Sequence, residues 1–91
     1  MNKPKPILEY ILTEHARFEL DRRDISITLL DQVLANPEQR QTARPGRDIF
    51  QLIIEENGKK YLIRIFVDID RRPAEVVTGY KTSKLDKYWK E

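Results

Sequence analysis

The side chains in this 91-residue chain whose types and spacing could do chemistry are one histidine, one arginine set in an apolar run, and a hydroxyl-rich stretch leading into regularly spaced lysines. His15 is the only histidine, and an unperturbed pKa of about 6.5 lets it accept or donate a proton near neutrality. It could equally be a half-buried residue bonded to a neighbouring strand. Arg64 interrupts Tyr61-Leu62-Ile63-Arg64-Ile65-Phe66-Val67 and, by strand alternation, shares a face with Leu62, Phe66 and Asp68. Its planar fork suits phosphate oxygens, and suits an internal bridge to Asp68 or Glu75 just as well. Tyr80 shares a strand face with Thr78 and Thr82, whereas Lys81 points the other way. A packing role for Tyr80 competes with a role in chemistry. Lys81, Lys84, Lys87 and Lys90 recur beside Tyr80, Tyr88 and Trp89, a spacing that could follow a phosphate backbone with bases stacked on the rings. The same spacing describes an amphipathic helix with docked aromatics and solvated lysines.

Other chemistry is thinly represented. Asp68-Ile69-Asp70 lacks a third ligand and is followed by Arg71 and Arg72, so it reads as a charged turn and not a metal site. The sequence has no glycine-rich phosphate loop, no nucleophile elbow and no metal-ligand spacing. No metal or cofactor is expected. With no cysteine there is no disulfide framework and no thiol nucleophile, which favours a cytoplasmic setting. No run is long and apolar enough for a signal peptide or a membrane span. The net charge of +2 is uneven: residues 1–58 hold eight Lys or Arg against ten acids, residues 59–91 nine against five. A basic C-terminal third is compatible with a polyanionic partner, and also with an ordinary solvated surface.

A chain of this length buries only about 60–65% of its unfolded surface, so it is expected to form a single domain over 1–91 with a shallow site. Pro4 and Pro6 hold the start extended, and Ile7–Leu12 reads as a first strand. Thr13 is a candidate N-cap for a helix to about Arg23. In that helix Ala16 and Leu20 share one side while Phe18 faces another, which predicts a helix wedged between neighbours. Asp24 or Ser26 can cap a second helix, in which Ile27, Leu30, Val33 and Leu34 fill one arc until Asn36-Pro37 stops it. Residues 38–47 read as a polar, basic loop with a Pro45-Gly46 turn. Asp48–Glu55 and Tyr61–Asp68 flank Asn57-Gly58, a pair suited to the positive φ angles of a tight hairpin. A last strand, Ala74–Tyr80, precedes a tail whose Leu85, Tyr88 and Trp89 form one side of a short helix. The expected architecture is α+β: two N-terminal helices packed on a small antiparallel sheet, in the order β-α-α-β-β-β with a short C-terminal helix.

That architecture is similar to the small RelE/ParE-like toxins. The residues add to the resemblance. Leu12-Thr13-Glu14-His15-Ala16-Arg17, then Arg22-Arg23, Ile25-Ser26 and Val33-Leu34-Ala35-Asn36-Pro37, resemble an uncharacterised family of small bacterial domains that opens with a Thr-x-His-Ala-Arg helix. The family's closing Thr-x-Tyr-x-Thr-Ser-Lys pattern is matched by Thr78, Tyr80, Thr82, Ser83 and Lys84, and Lys87-Tyr88-Trp89 resembles its end. The likeness runs from about Leu12 to Trp89, without the proline-bearing start and residues 38–47.

By resemblance the family is grouped with the barnase–EndoU–colicin–RelE set of metal-independent ribonucleases. This implies RNA cleavage with a histidine on the first helix and basic, hydroxyl or aromatic residues on the sheet. On that reading His15 acts as acid or base, and Arg64 and Lys81 steady the phosphate. Tyr80 assists proton transfer or stacks a base, Arg17 and Arg22 guide the strand, and Thr82 and Lys84 add nucleic-acid contacts. An exposed sheet edge beside an apolar helix would invite an antitoxin-like protein partner. A different class of function is a non-catalytic domain of the same fold that binds protein or nucleic acid. An exposed sheet edge would further permit self-association.

Overall fold

The computed structural model describes residues 4–90. It is an α+β fold with strands β1 (Tyr10–Leu12), β2 (Gln39–Arg44), β3 (Arg47–Glu56), β4 (Lys59–Asp68) and β5 (Ala74–Thr82), and helices α1 (Glu14–Arg22), α2 (Ile27–Ala35) and α3 (Leu85–Tyr88). The strands form one sheet in the order β1-β5-β4-β3-β2. β1 lies parallel to β5, and every other pair is antiparallel. The sheet is therefore mixed, which corrects the expected antiparallel sheet. Chain direction through α1 and α2 carries β1 to one edge and β2 to the other, a long-range outcome that no local pattern encodes.

Helices α1 and α2 are each started by a residue the sequence offers. Thr13 accepts a hydrogen bond from the Ala16 backbone N–H, and Ser26 does the same for Leu29, satisfying donors that a helix N-terminus otherwise leaves unpaired. Asp24 stops α1 instead of starting α2. It adopts φ +62° while its N–H bonds the Asp21 carbonyl and the Ile25 N–H bonds the Leu20 carbonyl. This is the Schellman arrangement, and buried Leu20 and Ile25 supply its usual apolar contact. α1 buries only Ala16 and Leu20, leaving Phe18 60% exposed beneath Arg22. The expected wedged helix is thus a one-sided one.

Residues 39–44 are the second correction, because they form an edge strand and not a loop. Asn57 and Gly58 make the tight β3–β4 turn with φ +52° and +77°, as their types require. That two-residue turn fixes the register, setting Phe50 opposite Ile65 and Gln51 opposite Arg64. Both helices cover one face of the sheet. Leu20, Leu30, Val33 and Leu34 pack there against Phe50, Ile63, Ile65, Val67 and Val76. Gly79 allows this approach: a Cβ there would stand 2.6 Å from Ile65 Cδ1 and 3.0 Å from Leu20 Cδ2. Among the described residues no helix is long and apolar enough to cross a membrane.

Candidate functional site

The other face of the sheet is built differently. Alternation sends Gln51, Arg64 and Tyr80 there, and the β2–β3–β4–β5 register lines up Gln39, Gln51, Arg64 and Tyr80 across four strands. Their side chains form one hydrogen-bonded row. Gln51 Nε2 donates to Gln39 Oε1 at 3.0 Å, Arg64 Nε donates to Gln51 Oε1 at 2.5 Å, and Arg64 Nη1 donates to the Tyr80 hydroxyl at 2.5 Å. Phe66 and Tyr80 flank the guanidinium, each with its ring centre 5.7 Å away.

The C-terminal tail lies over this row. The Tyr88 ring centre is 4.3 Å from the Arg64 guanidinium carbon, in cation–π range. The Tyr88 carbonyl accepts from Gln41 at 3.3 Å and Gln51 at 3.4 Å. Gln39 bonds the Lys90 backbone in both directions, donating to its carbonyl and accepting from its N–H. The phenols respond to this setting. Burial pushes Tyr80 above its ordinary value, with Arg64 opposing. Tyr88 is drawn down chiefly by the Tyr80 hydroxyl and then by Lys87. Tyr80 is therefore a neutral phenol at pH 7, and its hydroxyl accepts from Arg64.

Charge is distributed unevenly along β4. Asp68, on the same face as Arg64 and also buried, is neutralised by Arg47 at 2.6 Å and Arg71 at 3.9 Å. Glu75 is taken by Arg71 at 3.2 Å. Neither carboxylate bridges to Arg64, so the internal ion pair open on sequence grounds is not formed. Arg64 is only 7% exposed, and no carboxylate pairs with it among the described residues. Its positive charge is met by neutral oxygens and ring faces alone.

The sequence-derived candidates fall into four places. Arg64 and Tyr80 are together on the tail-covered face. Thr82 and Lys84 lie where the tail begins: Thr82 Oγ1 accepts from the Lys84 N–H at 3.1 Å, and Lys84 lines a shallow groove of about 490 Å³ with Ser83, Leu85, Asp86 and Lys87. Lys81 points to the opposite face and bonds Glu56 at 3.0 Å and Asp24 at 3.4 Å, which raises its pKa, Glu56 contributing most. His15, Arg17 and Arg22 are exposed on α1, in the helix layer on the far side of the sheet from Arg64. Sequence reasoning missed Gln39, Gln41, Gln51 and the role of Tyr88. A signal existed for Gln51, since the Asn57-Gly58 turn sets it opposite Arg64 and both interrupt apolar strands.

A family model described as a domain of unknown function (DUF4258) matches residues 12–87. No curated protein and no solved structure matches the chain.

Proposed function

The chain belongs to the DUF4258 family, a domain of unknown function, and we propose that it is a small RNA-directed domain of RelE/ParE-like type, gripping an RNA phosphate with Arg64. The buried charge of Arg64, with which no carboxylate pairs among the described residues, carries this reading. Removing a guanidinium from water costs several kcal/mol, roughly, unless an opposite charge meets it. Phosphate oxygens supply that charge in the geometry the fork prefers. The exposed Lys84, Lys87 and Lys90 on the adjoining tail add attraction for a polyanion at no cost in burial. A cysteine-free chain suits a cytoplasmic setting for such a partner.

A second reading, metal-independent RNA cleavage of toxin type, is favoured by one contact. The 2.5 Å bond from Arg64 to Tyr80 places a protonated phenol beside the cation that would hold the phosphate. The ribose 2′-oxygen would then attack phosphorus and give its proton to solvent water. The P–O5′ bond would break with Tyr80 protonating the departing 5′-oxygen and afterwards recovering a proton from water, and Arg64 would stabilise the crowded phosphorus centre. His15 enters that scheme only if RNA passes around the edge of the sheet to α1.

The test uses labelled single-stranded RNA with purified protein in EDTA. Arg64→Gln is expected to weaken binding about tenfold or more and to lower the slope of log K against log salt by about 0.7. The binding reading fails if Arg64→Gln binds as tightly as the wild type. Cleavage products that disappear with Tyr80→Phe establish the second reading, and loss with His15→Ala returns proton transfer to the histidine.

A further inference from the structure

Arg64 is covered by a segment of its own chain, and the way that segment is held resembles the way a ligand would be. Residues 83–90 contribute no fully buried side chain: Leu85, Tyr88 and Trp89 are half-buried and the rest are exposed. α3 is one turn long and has no side-chain N-cap. The polar bonds that hold the tail on the sheet face come from the carboxamides of Gln39, Gln41 and Gln51 to the backbone of Tyr88 and Lys90. Above them one flat ring lies on the Arg64 guanidinium.

We propose that residues 83–90 are a latch that occupies a single-stranded RNA site, with Tyr88 standing in for a stacked base and its carbonyl for a nucleotide oxygen. The proposal rests on the RNA-binding reading above and adds the regulation of that site. A base can stack on the Arg64 plane as Tyr88 does, and the row of carboxamides offers donors and acceptors to a base edge. A phosphate adds a negative charge that no described residue of the latch brings to Arg64. The exchange at Arg64 is therefore directional: a neutral ring leaves the guanidinium and an anion takes its place. Displacement disturbs few packed groups, because the helix-covered core lies on the other face. Affinity for RNA is reduced by the fraction of molecules whose latch is closed.

Trp89 is the only tryptophan and sits in the latch next to Tyr88, so its emission reports latch position without labelling. The full-length wild type, Tyr88→Ala and Arg64→Gln are titrated with a single-stranded oligoribonucleotide, following both affinity and tryptophan emission. The latch predicts that RNA shifts wild-type Trp89 emission toward that of a solvated indole. It also predicts that Tyr88→Ala binds about fivefold tighter or more. Arg64-dependent binding with unchanged Trp89 emission, or with Tyr88→Ala no tighter than wild type, overturns the latch and leaves the binding reading standing. Absence of binding by both wild type and Tyr88→Ala overturns both.

Discussion

Phe50 and Gln51 are adjacent in β3 and equally buried, each with 0% of its surface exposed, yet they belong to different environments. Phe50 faces the helices and touches an apolar cluster, while Gln51 faces the tail and is satisfied by Gln39, Arg64 and Tyr88. Burial alone does not separate the two faces; what covers each one does. The helix layer is capped at Thr13 and Ser26 and packed by whole side chains, so opening it costs much of the fold. The cover on the other face is one turn of helix and a few polar bonds. A small domain that must stay folded and still expose a cation can assign those tasks to opposite sides of one sheet.

The largest effect that can break this comparison is on the helix side. Phe50→Ala removes a ring that contacts the core and lies 4.5 Å from the Arg40 guanidinium. It is expected to cost about 3–5 kcal/mol, read as a fall in the denaturant midpoint at constant m-value. A loss below about 1 kcal/mol would show that the helix layer does not carry the stability assigned to it.

A smaller effect belongs to the compensated charge on the tail side. Asp68 is held below its ordinary value of 3.8, mainly by its bond to Arg47 and against the cost of burial. A carboxylate depressed in the fold stabilises it above the unfolded value, and that contribution is lost as pH falls from about 3.8 through the lower folded value. Asp68→Asn is expected to lower stability by about 1–3 kcal/mol at pH 7. The gap from wild type should narrow in unfolding curves taken below pH 3.8. A gap independent of pH would mean that Arg47 and Asp68 are not a working pair.

The helix side was the legible one, and the reason is chemical. Leu30, Val33 and Leu34 repeat at helical spacing and are buried, although Ile27 of the same arc is exposed, and Asn57-Gly58 announces its turn, because apolar burial and positive φ leave marks in residue type. β2 left none. In Gln-Arg-Gln-Thr-Ala-Arg the residues facing the tail, Gln39 and Gln41, are as polar as Arg40, which faces the helices and bonds Asp48. A strand whose two faces are both polar shows no alternation, and an edge position removes the need for it. The parallel pairing of β1 with β5 was hidden for a second reason, since it depends on where two helices deliver the chain. Arg64 and Tyr80 were identifiable as unusual residues. Their neutral companions were not, because a buried glutamine looks like any other until the register sets it opposite its partner.

The smallest stability change expected is the one that separates the two faces most sharply. Arg64→Met keeps a long, flexible side chain beneath Tyr88 and removes a charge that no carboxylate neutralises among the described residues. Replacing a buried ionic group by an apolar one of similar reach is often neutral or favourable. Against that, the variant strands the acceptors Gln51 Oε1 and the Tyr80 hydroxyl, at a cost of about 1–3 kcal/mol if water cannot reach them. Gln51 keeps its bonds to Gln39 and Tyr88, and both acceptors sit under a cover of one helical turn and a few polar bonds, so water reaches them when it lifts. The net change in unfolding free energy is therefore expected to stay within about 1 kcal/mol of zero. RNA affinity should fall by at least as much as in Arg64→Gln. A protein that keeps its stability while losing its ligand would place Arg64 among residues retained for binding. A loss as large as that of Phe50→Ala would make the polar row a second core and abolish the distinction between the faces.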